Sequence, residues 1–209
     1  MKKNLPFVII GIVLVVAVGI TVFILRKKSG APIAAGPPPD QTSRQVLVEE
    51  YGDYQCPPCG LLYPELKKVE SDYGDRIHFV FHHFPIISKH KNALTAAHAA
   101  EAARLQGKFW EMHDRLYRNQ QAWADADDPM PVFTSYASEL GLDVGRFSRD
   151  MDSPQVKQTV EQDLQAATAR GVTGTPTVFI EGRQMRAEAM TPEGLRRAID
   201  LMLEQKGNS

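Results

Sequence analysis

Cysteine is nearly absent from this chain: 209 residues hold two, Cys56 and Cys59. That excludes a scaffold held by several disulfides, and it excludes a four-cysteine zinc site. A basic excess is absent too. The formal net charge is −1, and no cluster of Lys and Arg is interleaved with aromatics. The first 28 residues carry five basic side chains and no acid, so taking those five from −1 leaves −6 on residues 29–209. A domain of that sign is not built to meet nucleic acid. Internal repeats are lacking. With 43% hydrophobic and 23% charged residues, the composition is that of a globular chain with a real core.

The long uncharged run lies at the start. Leu5 to Leu25 is mostly apolar and sits between Lys2, Lys3 and Arg26, Lys27, Lys28. As a helix it spans about 30 Å, the thickness of a bilayer core. This predicts one N-terminal transmembrane helix, an anchor with basic flanks over residues 1–28. The alternative is a cleaved signal, but the run is longer than such signals need, and three cations stand where cleavage would occur. With basic residues at both ends, charge does not set the orientation. Residues 29–43, with Gly36-Pro37-Pro38-Pro39-Asp40, read as an extended Pro/Gly linker.

Residues 44–207 read as the folded domain. Gln45 to Tyr51 alternates as a strand, with Val46, Val48 and Glu50 on one face. A helix is predicted after Cys56 to about Tyr73, with Leu61, Leu62, Leu66 and Val69 in its apolar stripe. Ile77 to Phe84 is a second strand, ended by Pro85. A helical block follows over about 86–170: Asn92–Leu105, Phe109–Asn119, Val132–Leu140, Asp143–Asp150 and Pro154–Arg170, the last capped by Ser153. Pro176–Ile180 and Gln184–Arg186 read as strands, and Thr191 caps a final helix running to about Glu204. Without the block, a small α/β sheet remains.

Three readings compete for Cys56-Pro57-Pro58-Cys59. A structural disulfide closing so short a loop would contribute only on the order of 2 kcal/mol. A metal site lacks companion cysteines, although six histidines are present. Redox chemistry fits best. Cys56 stands where a helix begins, with Pro57 at its first position, so unpaired amides and the helix dipole favour a thiolate there. The thiolate is the attacking species in disulfide exchange. Neither proline carries an N–H, which leaves the Cys59 amide as the nearest donor and predicts a Cys56 pKa below the free value. Cys59, one turn in, is expected to be buried and to act as the resolving thiol. Glu50 lies on the strand leading into the site. An acid on an apolar face is unusual. It reads either as a solvent-facing edge residue or as a proton acceptor with a raised pKa.

The stretch VEEYGDYQCPPCG (48–60) resembles the strand–CxxC–helix of DsbA-like thiol–disulfide oxidoreductases in the thioredoxin superfamily, and GVTGTPTVFIEGR (171–183) resembles their second signature. HFVFHHFP and EAARLQGKFWEMHDRLY are similar to the strand and helical insertion of that group, and the membrane-tethered bacterial branch is the nearest in pattern. The resemblance implies a thioredoxin-like α/β fold with an inserted helical block. It implies a cis Thr175–Pro176 bond facing the cysteines, with Thr175 and Pro176 binding substrate as an added strand, and it maps the family's buried acid onto Glu50. It departs at Pro58, where relatives often carry an aromatic or a histidine; this makes a very oxidising potential a weaker expectation. Asp53 is expected to bond loop amides near the site and Tyr54 to flank it. Bland readings are given to Phe109 and Trp110 (core of the insertion) and to His83 (structural), while Trp123 is a candidate for the groove rim. The resulting expectation is a membrane-anchored oxidoreductase on the periplasmic or extracellular side that needs no cofactor or metal. It would act on reduced or misoxidised protein substrates and be reoxidised by a quinone-linked membrane partner. The rivals are a reductase or isomerase of the same fold and a tethered copper or zinc chaperone.

Overall fold

The computed structural model describes residues 45–207. The expected anchor and linker lie outside the described residues. Among the described residues no helix is long and apolar enough to cross a membrane.

The first strand, β1 (Val46–Gly52), leads through a short loop into α1 (Pro57–Tyr73), and β2 (Ile77–His83) follows. The insertion comprises α2 (Ala93–Arg104), α3 (Phe109–Arg118), the single turn α4 (Gln120–Trp123), α5 (Met130–Glu139), α6 (Val144–Met151) and α7 (Pro154–Ala169). The chain then returns through β3 (Thr177–Ile180), β4 (Arg183–Gln184) and α8 (Pro192–Gly207). The sheet order is β2-β1-β3-β4, with β1 parallel to β2 and antiparallel to β3. This is the thioredoxin-like α/β arrangement with a helical insertion.

The period-two pattern of β1 decides what its faces meet. Val46 and Val48 are sealed against Leu62, Leu66 and Val69 of α1 and Leu195 and Ile199 of α8. Tyr51, on the opposite face, packs with Phe179 and with Ala167 of α7. Each fully buried aliphatic side chain there contributes roughly 1.5–3 kcal/mol. A separate core fills the insertion, where Met112, Leu116, Trp123, Phe133 and Phe147 have no exposure. The expected caps are present: Ser153 accepts from the Val156 amide, and Thr191 from the Gly194 amide. Pro64 lies inside α1 and removes one helical donor. The helix persists to Tyr73 because its Leu62–Leu66–Val69 stripe is buried on the sheet; Leu61, expected in that stripe, is 78% exposed, because it lies about 100° round the helix from Leu62. Gly52 closes β1 where no side chain fits: a Cβ there would collide with the Phe81 ring and lie 2.8 Å from the Tyr117 hydroxyl.

Candidate active site

The two cysteines are positioned by the start of α1. Cys56 is the N-cap in extended conformation (φ −69°, ψ 120°), with Pro57 and Pro58 in the first turn. Its amide donates to the Asp53 carbonyl at 3.0 Å, which closes the loop from β1. Cys56 keeps 5% exposure and Cys59 none, so only the first is open to a partner. Both are free thiols. Thr175–Pro176 is cis. The Cys56 thiol donates to the Thr175 carbonyl at 3.5 Å, so the two signature segments, 119 residues apart, meet at this sulfur.

The Cys56 thiol is pulled down to about 6, first by the hydrogen bond from the Cys59 thiol, then by its contact with Thr175 and by the Cys59 amide; burial and the Asp53 charge oppose them. The sequence reading had placed the weight on the helix end and the Cys59 amide. The amide contributes, but the neighbouring thiol contributes most. Cys59 is pushed up by burial, then by its bond to Cys56 and the charge of Glu50. Glu50 is almost fully buried on the Val46–Val48 face, so the solvent-edge reading is set aside. Burial, followed by the Cys56 charge, pushes its carboxyl up to about 8. The site therefore holds an easily ionised outer thiol above an inner thiol and an inner carboxyl that both resist ionisation.

Asp53 does bond loop amides. Its carboxylate accepts from the Gln55 and Ile86 amides, both at 2.8 Å, and from His90 Nδ1 at 2.6 Å. Tyr54 flanks the site from the inside, in one buried cluster with Cys56 and Cys59. It turns inward, stacks on Phe81 and is hydrogen-bonded to His113 Nδ1 at 3.0 Å. Trp123 is not on the groove rim; it is fully buried, and its indole N–H donates to the Leu116 carbonyl. Phe109 is core as expected, whereas Trp110 is 37% exposed and lies against Phe79 and Phe109. His83 is structural, donating to Glu101 at 2.8 Å.

Three polar residues of the site escaped the sequence reading. Gln120 donates to the carbonyls of Tyr54 (2.7 Å) and Cys56 (3.0 Å). Gln55 accepts from the Asn92 amide (2.7 Å) and donates to the Ala124 carbonyl, while the Asn92 side chain donates to the carbonyls of Trp123, Ala124 and Ala126. Together they fasten the cysteine loop to the insertion. One local signal existed for Gln120: Gly60, directly after Cys59, leaves the space it fills, and a Cβ there would lie 2.9 Å from Gln120 Oε1. Among the described residues no group of three or more His, Cys, Asp or Glu side chains is placed to hold a metal ion.

A family model described as thioredoxin matches residues 41–201. The chain is 40% identical over 139 residues to the Na(+)/H(+) antiporter NhaA 3 of Salinispora tropica, which covers 66% of this chain and 20% of that protein. It is 36% identical over 169 residues to the Na(+)/H(+) antiporter NhaA of Herminiimonas arsenicoxydans, covering 77% and 26%. The chain thus spans only about a fifth to a quarter of these curated relatives. Among solved structures, a thioredoxin-like oxidoreductase from Silicibacter pomeroyi superposes with a TM-score of 0.64 at 27% identity, covering 78% of this chain and 90% of that one. BdbD from Bacillus subtilis, in its oxidised form, gives 0.65 at 20% identity, covering 76% and 88%.

Proposed function

This chain belongs to the thioredoxin family and has the fold of DsbA-type proteins, and from that premise we propose that it is a protein thiol–disulfide oxidoreductase. The observation that carries the reading is one sulfur: Cys56 Sγ, held low by Cys59, facing the Thr175 carbonyl above the buried Glu50.

In the direction we favour, the enzyme begins with a Cys56–Cys59 disulfide. A substrate thiolate attacks Cys56 Sγ, a mixed disulfide forms, and Cys59 leaves. Cys59 is a poor thiolate in its buried site. The protonated Glu50 beneath it supplies the proton. A second substrate thiolate then attacks the substrate sulfur of the mixed disulfide and expels Cys56 as a stabilised thiolate. The substrate loses two electrons and two protons. The enzyme takes up both electrons; Glu50 then recovers its proton from water, so the enzyme gains one proton in net and the other stays in solution. A two-electron acceptor, which we take to be a quinone-linked membrane protein, restores the disulfide. Pro57 and Pro58 are exposed and Leu61 is 78% exposed, so the rim beside Cys56 is apolar, as an extended, unfolded substrate segment would need. The Leu5–Leu25 run supports anchorage to a membrane. Ion transport is not part of the proposal, because the shared segment is a fifth of the first antiporter's length.

Equilibrating the full chain in glutathione buffers tests this. The expected result is a reversible two-electron transition confined to Cys56 and Cys59, without metal, at a potential more oxidising than that of the substrate thiols. A transition at a reducing potential would reverse the direction to a reductase. Tight copper or zinc uptake with no transition would replace the enzyme by a metal chaperone.

A further inference from the structure

Asp53 is a buried carboxylate three residues before Cys56, and its side chain has no exposure. A buried charge needs partners. Two of its partners are backbone amides, of Gln55 and Ile86; among the described residues the one side chain that donates to it is His90, at 2.6 Å. A carboxylate can only accept, so the imidazole N–H points at Oδ2. His90 is 17% exposed and sits in the turn between β2 and α2, where its own amide donates to the Ile86 carbonyl at 3.0 Å. Lys91, next in the chain, is engaged elsewhere, with Asp127 at 3.1 Å. Cys56 and Tyr117 both feel the Asp53 charge, which opposes ionisation of each.

We infer that His90 is a positioning residue of the redox site: by donating to Asp53 it draws that carboxylate's charge onto the β2–α2 turn and away from the Cys56 sulfur. A like charge near a thiolate opposes it, and a hydrogen bond to the carboxylate spreads that charge. Asp53 is needed where it stands, because it ties the cysteine loop to the start of the insertion through Ile86 and His90. His90 lets a negative group do this beside a nucleophile that must become negative. The inference rests on Cys56 being the reacting thiol of the proposed oxidoreductase.

The experiment measures the alkylation rate of Cys56 against pH, and the glutathione equilibrium, in the full chain carrying His90→Phe, Asp53→Asn, or both. With His90→Phe the Cys56 ionisation should move up by ~1 unit, and the disulfide should become correspondingly harder to reduce. Adding Asp53→Asn to His90→Phe should return both readouts toward wild type, because the opposing charge is gone. A merely structural role for His90 would not be rescued that way. An unmoved Cys56 ionisation in His90→Phe, or a double variant that stays displaced, overturns the inference. If His90→Phe does not fold, His90→Leu, which also lacks a donor, carries the same comparison. Failure of the oxidoreductase reading looks different: the wild-type chain would show no reversible glutathione transition, while its alkylation profile could still be read.

Discussion

At the residue scale, Glu50 and Cys56 set opposite pH dependences. Glu50 titrates in the folded protein near 8 rather than its usual value of 4.5, so between those values the folded state holds a proton that the unfolded chain has lost. Its contribution is fully present below pH 4.5 and disappears as pH rises through 8, with a slope of up to about 1.4 kcal/mol per pH unit. Cys56 has its folded value near 6 against 9, so its contribution is present above pH 9 and is lost as pH falls through 6. In the reduced protein the two oppose one another over the shared range. In the oxidised protein Cys56 does not titrate, and the Glu50 loss is set against His113 and His98, which burial holds low and whose contribution grows as pH rises. Denaturant unfolding of the oxidised form should therefore show wild type losing stability relative to Glu50→Gln as pH rises above 5; a difference between the two proteins that does not change with pH would remove Glu50 as the cause. The same variant should slow turnover about 10²-fold or more, as loss of an acid–base group does. Cys59→Ser cannot form the disulfide and should not oxidise substrate; given a disulfide-bonded substrate, its Cys56 thiolate should attack that disulfide, release one substrate thiolate and stay trapped as an adduct, visible by mass spectrometry.

At the element scale, the insertion is fastened to the catalytic loop through side-chain amides. Gln120→Ala takes a donor from the Tyr54 carbonyl and one of two from the Cys56 carbonyl, which keeps the Gly60 amide at 3.1 Å, at a cost of about 1 kcal/mol for each hydrogen bond lost. Its thermal midpoint should drop, and the alkylation rate of Cys56 should change with it, since the Cys56 carbonyl begins α1. Retention of both would show that the insertion does not hold the loop. These contacts also mark where the sequence stopped being legible. The strand carrying Glu50, the helix beginning at Cys56-Pro57 and the Ser153-Pro154 start of α7 were readable because each signal lies within a few residues. The Gln55–Asn92 and Tyr54–Gln120 contacts join positions 37 and 66 residues apart, and nothing near Asn92 in the chain announces its partners. Trp123 misled for a similar reason: on the single turn of α4 it has no periodic neighbours to reveal a buried face. The pairing of Thr175 with Cys56 was legible only through family resemblance.

At the scale of the whole molecule, two cores meet along one sheet. Trp123→Ala would empty the middle of the insertion core and should cost about 3–5 kcal/mol, read as a lower denaturation midpoint. The β1 strand is the wall between its two sides, paired with β2 on one edge and β3 on the other. It carries two glutamates in succession. Glu49 faces α7 and is clasped by Arg170, at 2.7 and 3.1 Å. Glu50 faces α1 with one oxygen buried and unpartnered. Nothing but odd or even position along β1 separates an acid neutralised by a guanidinium from one available to the thiols. Slipping this strand by a single residue would exchange their fates, silencing the proton donor without deleting a single atom. The hydrogen-bond ladder that aligns Glu50 with Phe81 and Val178 is thus an indexing device for the chemistry as well as a scaffold.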